Sequence, residues 1–110
     1  MKVNLVQYSV RPDYVEQNKL NIEAVMRELR SIGHDGVEYA VYLRPDGRTF
    51  MHFVRQSTVE AEHYPTSLES FRVFQAQLRP NLKAAPTVEA LTLVDLFAPG
   101  AERDAQARTP

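Results

Sequence analysis

The stretch that most constrains this chain is Gly36 to Arg55, GVEYAVYLRPDGRTFMHFVR, in which one turn signal separates two short apolar runs. β-branched and aromatic residues, which favour strands, crowd both runs. Between them, Pro45 presets the first turn position, Asp46 favours the second, and Gly47 can take positive φ. The pattern predicts a hairpin with strands at about Val37 to Arg44 and Arg48 to Arg55, joined by a three-residue loop ending in a glycine bulge. That loop pairs Tyr42 with Phe50, Ala40 with His52 and Glu38 with Val54 on one face. Leu43, Val41, Tyr39, Met51 and Phe53 then share the other with Thr49. A loop of two or four residues would shift the parity and break every one of these pairs. Both faces of the hairpin carry large apolar side chains in either case.

The flanking segments supply the other layers. Lys2 to Val10 alternates as a strand and ends at Arg11-Pro12, since proline offers no amide donor. A helix is predicted from an Asp13 N-cap to about Ile32, with Glu16 completing a capping box and Gly33 at the C-terminal cap. Its apolar stripe, Tyr14, Val15, Asn18, Ile22, Val25, Met26, Leu29 and Ile32, contains one polar member, Asn18. After a polar connection from Gln56 to Pro65, Thr66 and Glu69 form a second capping box. Leu68, Phe71, Phe74 and Leu78 then give the next helix its buried stripe, and Pro80 stops or kinks it. Thr87 to Phe97 alternates as a last strand. The domain is expected over residues 1–97, with residues 98–110 a disordered tail.

The order β-α-β-β-α-β is that of a ferredoxin-like α+β domain, a four-stranded antiparallel sheet with both helices on one face. A monomer of that kind should be polar on its open face. Here Val3 and Leu5 oppose Val6, Tyr8 and Val10, and Leu91, Leu93 and Phe97 oppose Val88, Val94 and Leu96. Burying one such side chain stabilises by roughly 1.5–3 kcal/mol, so a two-sided apolar sheet predicts a homodimer packed face to face. Composition narrows the function classes. The chain has 110 residues, a net charge of -1 and scattered arginines, which gives no basic stripe for nucleic acid. It has no cysteine, so thiolate chemistry and disulfides are excluded. No apolar run is long enough to span a membrane, and a cytoplasmic protein is expected.

Two stretches, Asp46-Gly47-Arg48-Thr49-Phe50-Met51-His52-Phe53-Val54 and Ser67-Leu68-Glu69-Ser70-Phe71-Arg72-Val73-Phe74-Gln75, together with the opening VNLVQYSVRPD, resemble the dimeric α/β-barrel superfamily. Within it they resemble the antibiotic-biosynthesis-monooxygenase-like domains, over about residues 2–97. The resemblance implies a homodimeric α/β barrel and a cavity between helices and sheet. In enzymatic members that cavity holds quinols, anthrones or other small aromatic molecules, often oxidised by O2 without metal or flavin. Haem-degrading relatives use an asparagine, a tryptophan and a histidine, and this chain has Asn4 but no tryptophan.

His52 is the candidate catalytic base, because burial between Met51 and Phe53 would keep its imidazole neutral. The bland alternative is a histidine bonded to a backbone or tyrosine oxygen for purely structural reasons. Tyr8, Tyr39 and Tyr42 are strand tyrosines able to offer hydroxyls to a ligand, and Asn4 offers an amide. His63 stands before the second helix, where it could reach a pocket mouth; Phe71 and Phe74 could wall the pocket or simply fill the core. His34 sits in a Gly-His-Asp-Gly turn and is expected to face solvent. The histidine spacing does not make a metal set, and no cofactor is expected. Two functions follow. One is a cofactor-independent monooxygenase acting on an aromatic or quinol-like metabolite. The other is a non-catalytic, structural or stress-associated binding dimer.

Overall fold

The computed structural model describes residues 1–64 and 66–99. The tail expected from residue 98 therefore lies, beyond residue 99, outside the described residues. The elements are β1 (Lys2–Ser9), α1 (Val15–Ile32), β2 (Val37–Leu43), β3 (Thr49–Gln56), α2 (Glu69–Leu78) and β4 (Thr87–Ala90). One-turn 3-10 segments at Pro12–Tyr14, Ala61–His63 and Arg79–Asn81 join them. The strands form one antiparallel sheet in the order β2-β3-β1-β4, the ferredoxin-like arrangement expected. Tyr8, Phe50 and Val10 from the sheet side pack with Tyr14, Val15 and Val25 from the first helical layer and Phe74 and Leu78 from α2.

The hairpin departs from expectation by one residue. Tyr42 pairs with Met51, Val41 with His52 and Ala40 with Phe53. The loop holds four residues, closed by Arg44 N–H donating to the Thr49 carbonyl at 2.8 Å and Gly47 N–H donating to the Arg44 carbonyl at 2.9 Å. Asp46 explains the extra residue. Its carboxylate accepts from the backbone amides of Arg48 and Thr49, each at 2.9 Å, and from the Thr49 hydroxyl. These bonds draw Arg48 into the turn, while Gly47 takes φ 76°. Holding the carboxylate as an acceptor lowers the Asp46 pKa to about 2.

This shift moves every β2 side chain to the opposite face from the one expected. The helix-covered face now carries Tyr39 and Val41 beside His52, Val6 and Tyr8. The open face carries Val3, Leu5, Ala40, Tyr42, Met51 and Phe53.

The caps and the last strand also differ. Asp13 makes no cap bond and instead pairs with Arg11 at 3.3 Å, because a 3-10 turn with Pro12 at its start precedes α1. Thr66 turns back to donate to the His63 carbonyl at 3.2 Å. The start of α2 is satisfied from α1: the Glu28 carboxylate accepts from the Ser70 amide at 3.0 Å and its hydroxyl at 2.6 Å. Gly33 does cap α1, at φ 67° with its N–H donating to the Leu29 carbonyl. β4 ends at Ala90 and not at Phe97. Among the described residues its only neighbour is β1, and with Asn4 opposite Ala90 the partner strand is used up within two further residues. Leu93, Val94, Leu96 and Phe97 consequently stay exposed.

Candidate functional site

A cleft of about 370 Å³ lies between the covered face of the sheet and α2. Alternation along β1 and β3 points Asn4, Val6 and Tyr8 and, across from them, Val54 and His52 into it. α2 supplies an aromatic wall of Phe71 and Phe74, whose ring centres are 5.6 Å apart. Val88 of β4 stands at the open edge, two-thirds exposed. A larger groove of about 580 Å³ runs along Gly33–Gly36 and Ser57–Glu60, but it is shallow. There His34 is half-buried, where solvent exposure was expected. Its Nδ1 accepts the Gly36 N–H at 3.0 Å and its ring packs 5.1 Å from that of Tyr64.

The polar end of the cleft is a chain of four side chains. The Tyr8 hydroxyl lies 2.8 Å from His52 Nε2, and the Tyr39 hydroxyl lies 2.7 Å from His52 Nδ1. Asn18 Nδ2 donates to the Tyr8 hydroxyl at 2.9 Å. His52 is 4 % exposed, and Phe74 covers its ring at 5.6 Å. Such burial penalises the charged imidazolium and lowers the His52 pKa to about 4. The same cause raises the pKa of Tyr8 and of Tyr39 well above the ordinary phenol value. Near neutrality the whole chain is uncharged: a neutral imidazole between two intact phenols.

That geometry alters what His52 can do. A neutral imidazole has one N–H donor and one acceptor nitrogen, and both already face a tyrosine. A ligand in the cleft therefore meets a tyrosine hydroxyl first, with the imidazole one hydrogen bond behind. Outright deprotonation of a phenol of pKa ~10 by an imidazole of pKa ~4 would also be uphill by roughly 8 kcal/mol. The arrangement suits passing protons along better than taking one.

Of the residues singled out from sequence, Asn4, Tyr8, His52 and Phe71 line this cleft together. Tyr42 does not. The one-residue register shift places it on the open face, 59 % exposed, edge-on to Phe53 at 5.8 Å. His63 does not either: Ala61 is the buried residue of that turn, and His63 faces outward while Glu62 reaches the cleft. Asn18 was visible only as the polar break in an apolar helical stripe, and it is fully buried. Tyr39 falls on the other face in the expected register, and the observed register brings it to the cleft. Gln56, 5 % exposed, stands in the sequence only at the start of the polar connection; its amide donates to the Glu62 and Tyr64 carbonyls and holds the mouth of the cleft.

No family model matches the sequence, and no curated protein matches it. Solved structures do. Rv0793 from Mycobacterium tuberculosis superposes with a TM-score of 0.72 at 20% identity, over 88% of this chain and 98% of its own. An antibiotic biosynthesis monooxygenase superposes with a TM-score of 0.72 at 12% identity, over 86% of this chain and all of that one. NE2512, a protein of unknown function from Nitrosomonas europaea, gives 0.70 at 14% identity, over 89% and 94%. At such identities the likeness is one of fold. The chain has the ferredoxin-like α+β fold of the antibiotic-biosynthesis-monooxygenase-like structures.

Proposed function

We propose that this protein is a homodimeric, cytoplasmic small-molecule-binding protein of the monooxygenase type, and that its cleft receives a small aromatic or quinol-like metabolite. The observation that carries the reading is the Tyr8–His52–Tyr39 chain at the end of an aromatic-walled cleft. Two phenol hydroxyls and the Asn4 amide offer hydrogen bonds to the oxygens of a quinol, and Phe71 and Phe74 offer faces to its ring. The resemblance noted above implies oxidation by O2 without a metal or flavin. In that chemistry Tyr39 or Tyr8 holds the substrate hydroxyl, and His52 sets the orientation of both.

The test is O2 uptake with a panel of hydroquinones and anthrones. Wild type should consume O2 with at least one member, and His52→Phe should lose roughly a hundredfold in rate, the usual contribution of a positioned proton-transfer group. If no member is consumed but the aromatic compounds still bind, the non-catalytic binding dimer is the correct reading. The dimer itself has a separate support. Val3, Leu5, Met51 and Phe53, each half-buried, share the sheet face opposite the helices, and apolar faces of this kind mark interaction sites. A second copy of the same face would bury it with two-fold symmetry. Light scattering should report twice the 12.6 kDa chain mass; a 12.6 kDa species at micromolar concentration would end the proposal.

A further inference from the structure

The geometry points to a second chemistry in this cleft: Tyr8, His52 and Tyr39 form a charge-neutral proton shuttle that isomerises an aromatic ketone and its enol. The inference rests on the reading that an aromatic ligand occupies the cleft, and it requires no oxygen.

Counting protons leads to it. Asn18 N–H occupies one lone pair of the Tyr8 oxygen. With the imidazole proton on Nδ1, Tyr8 O–H donates to Nε2 and Nδ1–H donates to the Tyr39 oxygen. The Tyr39 proton is then left over. With the imidazole proton on Nε2, Tyr39 O–H donates to Nδ1 and Nε2–H donates to the Tyr8 oxygen. The Tyr8 proton is then the one left over. Each tautomer thus leaves one hydroxyl proton without an acceptor within the chain, at one end or the other. Both tyrosines line the same cleft, so the unspent proton is offered to a ligand there. Two hydroxyls bridged across a single imidazole are more than is needed to anchor one histidine.

The step balances without any co-reactant. Tyr39 gives its proton to the carbonyl oxygen of the ligand. Nδ1–H passes to the Tyr39 oxygen, and Tyr8 O–H passes to Nε2. The Tyr8 oxygen takes the proton from the ligand's C–H next to the carbonyl, the C–H electron pair becomes the C=C bond of the enol, and the carbonyl π pair becomes the new O–H bond. Nothing is oxidised or reduced. The chain ends neutral in the other tautomer and is reset by the reverse transfer or by exchange with water through the open edge at Val88. The raised pKa of both tyrosines and the lowered pKa of His52 disfavour every charged intermediate, which favours concerted transfer. The ligand class is a flat aromatic ketone with an acidic C–H beside its carbonyl.

The experiment uses 2-tetralone in D2O under argon, with deuterium uptake at the carbon next to the carbonyl followed by mass spectrometry and binding followed by calorimetry. Wild type should bind the ketone and accelerate exchange over buffer. Tyr39→Phe keeps the ring and removes the port, so exchange should fall roughly a hundredfold while affinity changes only a few-fold. His52→Phe should fall as far. Binding with no acceleration by wild type, or full exchange in Tyr39→Phe, overturns the shuttle and leaves the aromatic-ligand reading standing. Failure of wild type to bind the ketone overturns both. The nitrogen chemical shifts of His52 provide a readout that a merely structural histidine would not move: bound ketone should shift the tautomer balance toward Nδ1–H, and an unchanged balance counts against the shuttle.

Discussion

The two faces of the sheet depart from the usual pattern of an open antiparallel sheet: both carry large apolar side chains, and the covered one also holds the buried polar residues. Normally the covered face is apolar and the exposed face polar. Here β3 alternates Phe50, His52, Val54 and Gln56 toward the helices with Met51 and Phe53 toward the outside. β1 does the same, with Asn4 and Tyr8 inward and Val3 and Leu5 outward. Polar groups in the interior carry a desolvation cost, and each of these is matched to a partner or turned into the cleft. Apolar groups outside need a cover. On the proposed reading, the covered face is the site and the open face the contact surface.

Two phenylalanines three residues apart on β3 give the sharpest way to break that comparison. Phe50 is 2 % exposed and packs on Tyr8 at 5.7 Å. Phe50→Ala should cost about 3–5 kcal/mol of stability, and the cost should be the same at any protein concentration. Phe53 lies on the open face beside Tyr42. Phe53→Ala should cost a smaller amount, roughly 1–3 kcal/mol, and the loss should appear as weaker self-association. Urea melts of both variants over a hundredfold range of concentration would separate them. Identical, concentration-independent losses would mean that the open face is not a dimer surface.

Acid sharpens the same contrast from the covered side. Unfolded His52 takes a proton below about pH 6.5, whereas the folded residue resists until about pH 4. Between those values the unfolded chain binds more protons, so stability rises with pH and is lost as pH falls from 6.5 toward 4. The full loss is on the order of 3 kcal/mol. Asp46 acts lower: its depressed pKa gives stability that is present above its ordinary carboxylate value and is lost as pH falls toward 2. His52→Phe should flatten the upper window and leave the lower one. Denaturant midpoints measured at half-unit pH steps check this, and a slope that survives in His52→Phe would assign the window to other groups.

How far the residues themselves disclosed this arrangement depended on the range of the interaction. Element order, the two-sided apolar sheet and the Gly33 cap rest on periodicity and local backbone preference, and they can be read locally. The hairpin register could not, because it turned on whether Asp46 bonds within a three-residue or a four-residue loop. That single residue decided whether Tyr39 or Tyr42 met His52. The α2 cap came from Glu28, 42 residues away, which no capping pattern can anticipate. Asn18 is the middle case: its place in an apolar stripe announced a buried polar residue, but its partner was fixed only by the packing of α1 on β1.

Asn18 is also the subject of the smallest and most discriminating prediction. It is fully buried; its amide nitrogen serves Tyr8, and its Oδ1 has no hydrogen-bond partner among the described residues. A buried acceptor left unmade is destabilising by about 1–3 kcal/mol, while the bond it accompanies contributes roughly 1. Asn18→Leu removes both terms at similar volume, so global stability should change by no more than about 1 kcal/mol in either direction. A residue kept only for the fold would show nothing else. The amide, however, occupies one lone pair of the Tyr8 oxygen and so biases the Tyr8 hydroxyl toward donating to His52 Nε2. Without it, Tyr8 has a free lone pair, and His52 should move toward the tautomer with its proton on Nε2. Nitrogen chemical shifts of His52 measured in wild type and Asn18→Leu decide the matter. A shifted tautomer balance at nearly unchanged stability identifies Asn18 as a positioning residue for the covered face. An unchanged balance would reduce the four-residue chain to packing.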